Sequence, residues 1–415
     1  MISVNVETKS MLRRQSETGA KARRAPNSIE KKMKKSYQKI RRDNRHKNEN
    51  KAAIFLSKTQ LVSKEAILEA MQSTERRFGA TLRRRRLGAS QLCPESFRRW
   101  RLIRVLRQLG IDCSLYASFG DPTFDITSQM AVKQLTNMGC DISRCENRTG
   151  QSLSISVVLV DPKKGSRTIV HHRRSLAEPK FEEFSNKYLV SSENQPQSDP
   201  PIAKYDAIFF EGRNVPEVRK MLAHVIKWRS TLLNGNAKRP LIIVELEKPR
   251  EDLEGIVMPG VDCVIIGKDY AKALPGQNIE NMFHAAEYFA HFFAAKLSPD
   301  AHIFCPWGDK GACLAHKGRF YTSPAFTFNG CSSSRTHFLD TLGAGDTFIA
   351  ACVKGLVDGS TPPDEILKNG CKIAGYKCGL KGFEFPSNFD VNSSLNDAKI
   401  LNGISIHHTN GWHKD

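Results

Sequence analysis

The chain has 415 residues, 40% of them apolar, enough for one large domain or two medium ones around a sizeable core. No apolar run reaches the roughly 18–20 residues of a bilayer span, and the start lacks the apolar centre of a signal peptide, so the expectation is a soluble, intracellular protein with no membrane partner. The net charge of +20 is unevenly placed: residues 1–110 hold 29 Lys+Arg against 9 Asp+Glu, while residues 111–415 hold 34 of each. The 11 cysteines are scattered without a CxxC pair, which argues against a zinc ribbon or a disulfide framework and for reduced, buried thiols.

Residues 1–96 read as a basic, largely disordered segment, with "KKMKKSYQKIRRDNRHKNENK" at 31–51 and "RRRR" at 83–86. Over residues 9–51 little apolar surface is available to offset the entropy of ordering. Residues 61–71 have the pattern of one short helix, with Ser63 as its cap. Basic runs suit phosphate contacts with nucleic acid or a nuclear-import signal. The blander alternative is a solvated tail, and the lack of an aromatic platform favours it. Glu7, Glu17 and Glu30 argue against a mitochondrial transit peptide. The expected location is cytoplasmic, and the basic runs leave a nuclear one open.

Residues 97–390 alternate strand and helix patterns, and residues 391–415 read as a tail. "SISVVLVD" (154–161), "DAIFFEG" (206–212), "LIIVELE" (241–247), "DCVIIG" (262–267) and "AHIFCPW" (301–307) are short, β-branched-rich runs expected as buried strands of a parallel sheet. Helical patterns cover 217–233 and 281–296. The alternation predicts a doubly wound α/β sheet. "GSRTIVHHRRSL" (165–176) is half polar and predicts a strand exposed on one face, apart from that sheet; His171 and His172 on it read as surface residues, since no third metal ligand is spaced for them.

Chemistry is concentrated in "DTLGAGDTFIAACVKG" (340–355). Residues 347–356 are helix-compatible and Gly359 can end the run. Gly343, Ala344 and Gly345 then lie at a helix N-terminus, where backbone N–H groups lack intrahelical acceptors and small side chains admit an anion. The spacing is not that of a P-loop. Asp346 beside such a cradle suits phosphoryl transfer to a hydroxyl: the cradle stabilises the moving phosphoryl group while the acid orients the hydroxyl and takes its proton. The competing reading makes Asp346 a helix cap after a tight turn.

The longer string "DTLGAGDTF" resembles the C-terminal signature of the ribokinase-like (PfkB) sugar kinases. "GSRTI" (165–169), "EGRN" (211–214), "VELEKPRE" (244–251), "CPWGDKGA" (305–312) and "NGCKIAGYKCGLKGF" (369–383) resemble segments of the ketohexokinase, or fructokinase, branch of that family, in order, over residues 98–386. The resemblance implies a three-layer ribokinase-like fold with a small β lid around residues 154–174. It implies ATP-dependent phosphorylation of fructose at its C1 hydroxyl, with Asp346 as base and at the sugar, and Gly343, Ala344 and Gly345 as the anion hole. Gly308, Asp309, Lys310 and Gly311 would form the nucleotide loop, Arg167 would reach the ATP phosphates, and Cys371, Ala374 and Cys378 would face adenine; core packing is the alternative for these last three, and a solvated strand residue for Arg167. Mg²⁺ bridging the phosphates, K⁺ near the anion hole and a homodimer are further implications. The alternatives are another sugar or nucleoside kinase of the family, or an inactive nucleotide-binding protein whose basic segment contacts nucleic acid.

The N-terminal part departs from the family pattern. The first-strand aspartate and the Gly-Gly-Asn segment that hold the sugar are not seen. "RRRRLGASQLCPESFR" (83–98) stands ahead of the helix "WRLIRVLRQLG" (100–110), which carries an unusual load of arginine. "AAIFLSKTQLV" (52–62) is a weak candidate strand. An incorrect gene start, loss of sugar phosphorylation, or substitute contacts from the basic segment would each account for this.

Overall fold

The computed structural model describes residues 1–5, 54–55, 89–92, 98–160, 167–172, 174, 176–190, 200–234, 239–328, 340–380, 382–383, 385–386, 389 and 398–401. They form two compact units, one built from Met1–Val6, Pro94–Ile155 and Arg173–Asp415, the other from Glu7–Cys93 and Ser156–His172.

The strands in chain order are β1 (Ile2–Asn5), β2 (Ile54–Phe55), β3 (Ala89–Leu92), β4 (Asp112–Leu115), β5 (Ser118–Gly120), β6 (Glu146–Arg148), β7 (Ile155–Val160), β8 (Arg167–His172), β9 (Ala207–Glu211), β10 (Leu241–Leu246), β11 (Cys263–Ile266), β12 (His302–Pro306), β13 (Ala312–His316), β14 (Arg319–Ser323), β15 (Phe326–Phe328) and β16 (Ala398–Ile400). The helices are α1 (Arg98–Gln108), α2 (Ile126–Asn137), α3 (Phe181–Tyr188), α4 (Val215–Ser230), α5 (Lys268–Lys272), α6 (Met282–Phe292), α7 (Ala344–Asp358) and α8 (Pro363–Cys378).

The first unit is organised on an eight-stranded sheet of order β14-β13-β12-β11-β10-β9-β1-β4. Strands β9 to β12 run parallel, as their continuous apolar runs predict. Their side chains alternate between two cores. Ile243, Cys263, Ile265 and Phe304 join the cluster that α1, α7 and α8 cover with Ile103, Leu106, Phe348, Cys352 and Leu367. Ile242, Val244, Val264 and Ile266 join the cluster that α4 and α6 cover with Leu222, Val225 and Phe289. The period of two along each strand thus builds the three layers. Local signals set the helix starts: Asn281 accepts at Oδ1 from the amides of Phe283 and His284 (2.9 and 3.0 Å), and Asp125 caps α2.

Two findings correct the sequence reading. The run at 154–161 does not join the parallel sheet; β7 pairs antiparallel with β3 in the second unit's four-stranded sheet, of order β2-β3-β7-β8. A short apolar run looks the same in either sheet, because its partner is set by distant residues. A strand that the sequence pattern does not mark, β1, lies between β4 and β9 and is antiparallel to both, with Ile2 opposite Leu115 and Phe209. Its residues Ile-Ser-Val-Asn contain no aspartate. The Met1 ammonium donates to the Tyr116 carbonyl at 3.2 Å, which fixes the register at that end. Of the weak candidate at 52–62, only β2 is described. The expectations for 9–51 and for a helix at 61–71 lie outside the described residues. No described helix is long and apolar enough to cross a membrane.

Candidate active site

The glycine turn leads into α7 as its spacing predicts, and Gly359 ends the helix at φ 69°. Gly343 is the cap, at φ 76°, and makes no side-chain cap bond. A β-carbon there would stand 2.2 Å from Phe383 Cζ, so both backbone and packing demand glycine. Thr347 closes the first turn, its amide and Oγ1 donating to the Gly343 carbonyl at 2.9 and 3.0 Å.

Asp346 is therefore not the cap. It lies inside the first turn of α7 and is 4% exposed. The amide of Ala344 turns back to the Thr341 carbonyl at 3.3 Å, so it is less available to an anion than the sequence implies. Among the described residues the Gly345 amide has no acceptor, and a β-carbon on Gly345 would meet nothing within 4 Å. The start of α7 beside Asp346 thus carries a backbone donor without an acceptor among the described residues, at the positive end of a helix dipole.

The loop before the cradle is tied down by α8. Asp340 Oδ1 accepts from the Leu342 amide at 2.9 Å and Oδ2 from the Gly382 amide at 3.2 Å. Lys377, fully buried, donates from Nζ to the Asp340 carbonyl at 2.8 Å and lies 4.6 Å from the centre of the Phe383 ring. Carbonyl, carboxylate and ring all face this buried amine. Asp340 and Lys377 both lie inside strings that carry the family resemblance, 340–348 and 369–383, but motif spacing assigns neither a role.

Arg101 is the other group that sequence reasoning misses. Its Nε donates to Asp346 Oδ2 at 2.6 Å, from a side chain 12% exposed. It stands on α1, beside Trp100, whose ring meets Phe383 edge-on at 6.4 Å. The one signal for it in the sequence is the unusual arginine content of that helix.

The remaining predicted residues fall in three places. Gly308, Asp309, Lys310 and Gly311 form the tight turn joining β12 to β13; Gly308 and Gly311 have φ of 66° and 96°, and Trp307 donates its amide to the Gly311 carbonyl at 2.7 Å. Asp309 and Lys310 are exposed and 3.9 Å apart. Cys371, Ala374 and Cys378 lie on α8; Cys371 and Cys378 are buried, and burial pushes the Cys371 thiol up to about 12, so it is an apolar packing group and not a nucleophile. Arg167 opens β8 in the second unit.

Among the described residues no three His, Cys, Asp or Glu side chains converge on a metal position. Magnesium is commonly held by one or two carboxylates plus substrate phosphates, so a site completed by a nucleotide needs no such cage.

The profile of the pfkB family carbohydrate kinases matches residues 102–388. Ketohexokinase of Mus musculus is 30% identical over 286 residues, 68% of this chain and 83% of that one. Among solved structures, ribokinase of Arabidopsis thaliana complexed with ribose and ATP superposes with a TM-score of 0.52 at 15% identity, covering 71% of this chain and 84% of its own. Adenosine kinase of Schistosoma mansoni in complex with 2-fluoroadenosine gives 0.54 at 14% identity, covering 83% and 90%. At such identities the two structures establish the ribokinase-like α/β fold.

Proposed function

Since the chain belongs to the pfkB carbohydrate kinase family and so is an ATP-using phosphotransferase, we propose that it transfers the γ-phosphoryl group of ATP to a sugar hydroxyl, with fructose C1 as the acceptor, giving fructose 1-phosphate and ADP. The observation that carries this reading is the buried carboxylate of Asp346 beside the Gly345 amide, which has no acceptor among the described residues, at the start of α7. The 30% identical ketohexokinase supports a ketohexose such as fructose as the acceptor to test first.

In the proposed reaction the acceptor oxygen bonds to the γ-phosphorus as the bond to the bridging oxygen breaks, and that electron pair leaves on ADP. Asp346 takes the hydroxyl proton. Gly343, Ala344 and Gly345 hold the transferring group, the Gly345 amide being the donor without an acceptor among the described residues. The turn of Gly308, Asp309, Lys310 and Gly311, with Cys371, Ala374 and Cys378, would hold the nucleotide. Mg²⁺ would supply charge neutralisation on ATP, and K⁺ belongs in the assay as a family expectation. A homodimer through the four-stranded sheet is part of the same reading, and light scattering on the purified chain checks it.

The test is ADP release by the full chain with ATP, Mg²⁺, K⁺ and a panel of fructose, ribose and adenosine. Fructose-dependent turnover is expected, falling at least about 10²-fold in Asp346→Asn, the lower end of a general base's contribution. Equal turnover in the variant would remove Asp346 from the mechanism, and preference for ribose or adenosine would replace the substrate.

A further inference from the structure

Arg101 lies one residue ahead of the stretch that the family profile matches, and the proposed reaction does not use it. Its Nε donates to Asp346 Oδ2 at 2.6 Å. Its Cδ lies 3.0 Å from the point where a β-carbon on Gly343 would stand. One side chain thus flanks both the acid and the first glycine of the cradle. Trp100 and Ile103, 5% and 0% exposed, seat α1 in the core, so the guanidinium is offered from a rigid element.

The placement resolves an electrostatic conflict. A phosphoryl seat next to an ionised carboxylate brings two negative charges together where little water screens them. The partial charge of a helix N-terminus offsets only part of one unit. A guanidinium on the carboxylate offsets its charge, and the planar fork suits a phosphoryl oxygen as well as a carboxylate.

Resting on the kinase reading above, we propose that Arg101 is a catalytic residue: it pairs with Asp346 before ATP arrives and touches the transferring phosphoryl group on the cradle during transfer. Arg101 gives up no proton. The hydroxyl proton still goes to Asp346 and the electron pair still leaves on ADP, while Arg101 offsets charge on the equatorial oxygens.

The test is calorimetric binding of ADP, and of ADP with Mg²⁺ and aluminium fluoride as a mimic of the moving group, to the full chain. The proteins compared are the unaltered chain, Asp346→Asn, and Asp346→Asn with Arg101→Met. Removing Arg101 in the Asp346→Asn background is expected to weaken binding of the mimic at least about 10-fold, as for one charge-assisted hydrogen bond, and to leave ADP within about twofold. In turnover, Arg101→Met alone is expected to lower kcat on the order of 10³-fold, with the sugar KM little changed, as for an arginine supplied to a transferring phosphoryl group. If Arg101→Met does not fold, Arg101→Gln, which keeps a donor for Asp346, makes the same comparison. Equal mimic binding with and without Arg101 overturns the proposal, because the residue then acts only on Asp346 or on folding. Faster turnover in Arg101→Met also overturns it, showing a plug over the base. If the unaltered chain binds neither ADP nor the mimic, the kinase reading itself fails and this proposal falls with it.

Discussion

Gly343 and Gly345 are separated by one residue and have opposite requirements. A methyl group on Gly343 meets Phe383 in a left-handed backbone, so Gly343→Ala is expected to cost about 2–4 kcal/mol, from the left-handed conformation plus overpacking. A methyl group on Gly345 meets none of the described residues within 4 Å in a helical backbone, so Gly345→Ala should fold as well as the natural chain. It should nonetheless bind ADP with the phosphoryl mimic more weakly, since the methyl enters the proposed seat. Thermal unfolding and binding on the two variants separate these effects, and unchanged mimic affinity in Gly345→Ala would remove the seat from the site. The turn and its acid are legible in the sequence because their geometry is local: small residues, one spacing, one helix start. Arg101 is not, because its bond to Asp346 spans 245 residues and only the fold brings them together. The Asp340–Lys377 tie is hidden for the same reason.

At the scale of elements, β9 to β12 are the most legible part of the chain. They are buried on both faces, so their composition alone separates them from the helices between them. β1 has four residues, and its partners begin more than a hundred positions later. No periodicity can show in so short a run. Its contribution can be measured directly. Removing residues 1–5 leaves β4 and β9 each with an unpaired edge inside the molecule, and the melting temperature is expected to fall by about 5 °C or more. Coincident melting curves for the natural and shortened chains would mean that β1 adds nothing to the sheet. The sheet membership of β7 is hidden for a related reason: pairing is a property of two segments, and a pattern in one of them cannot name the other.

The whole molecule should respond to acid in two stages. His302 and His316 stack with ring centres 3.9 Å apart, and burial, with the neighbouring imidazole second, pushes His302 down to about 4. The unfolded chain takes that proton near pH 6.5, so stability is full above that value and falls as pH drops toward 4. Glu183 behaves as the opposite charge type. Its hydrogen bonds from Arg148 hold it down to about 2, so its contribution is present above about pH 4.5 and is lost toward 2. His302→Phe is expected to flatten the melting temperature between pH 6.5 and 4 and to leave the lower stage in place; an unchanged upper slope would show that this pair does not set it. A last consequence concerns time. β1 is made well before its two neighbours in the sheet, residues 112–115 and 207–209. At about 5–20 residues per second, the ribosome needs on the order of 10–40 s to deliver the second of them. For that interval β1 is without either of its sheet neighbours, and a chaperone that held this nascent strand would be guarding a piece of the protein's own interior.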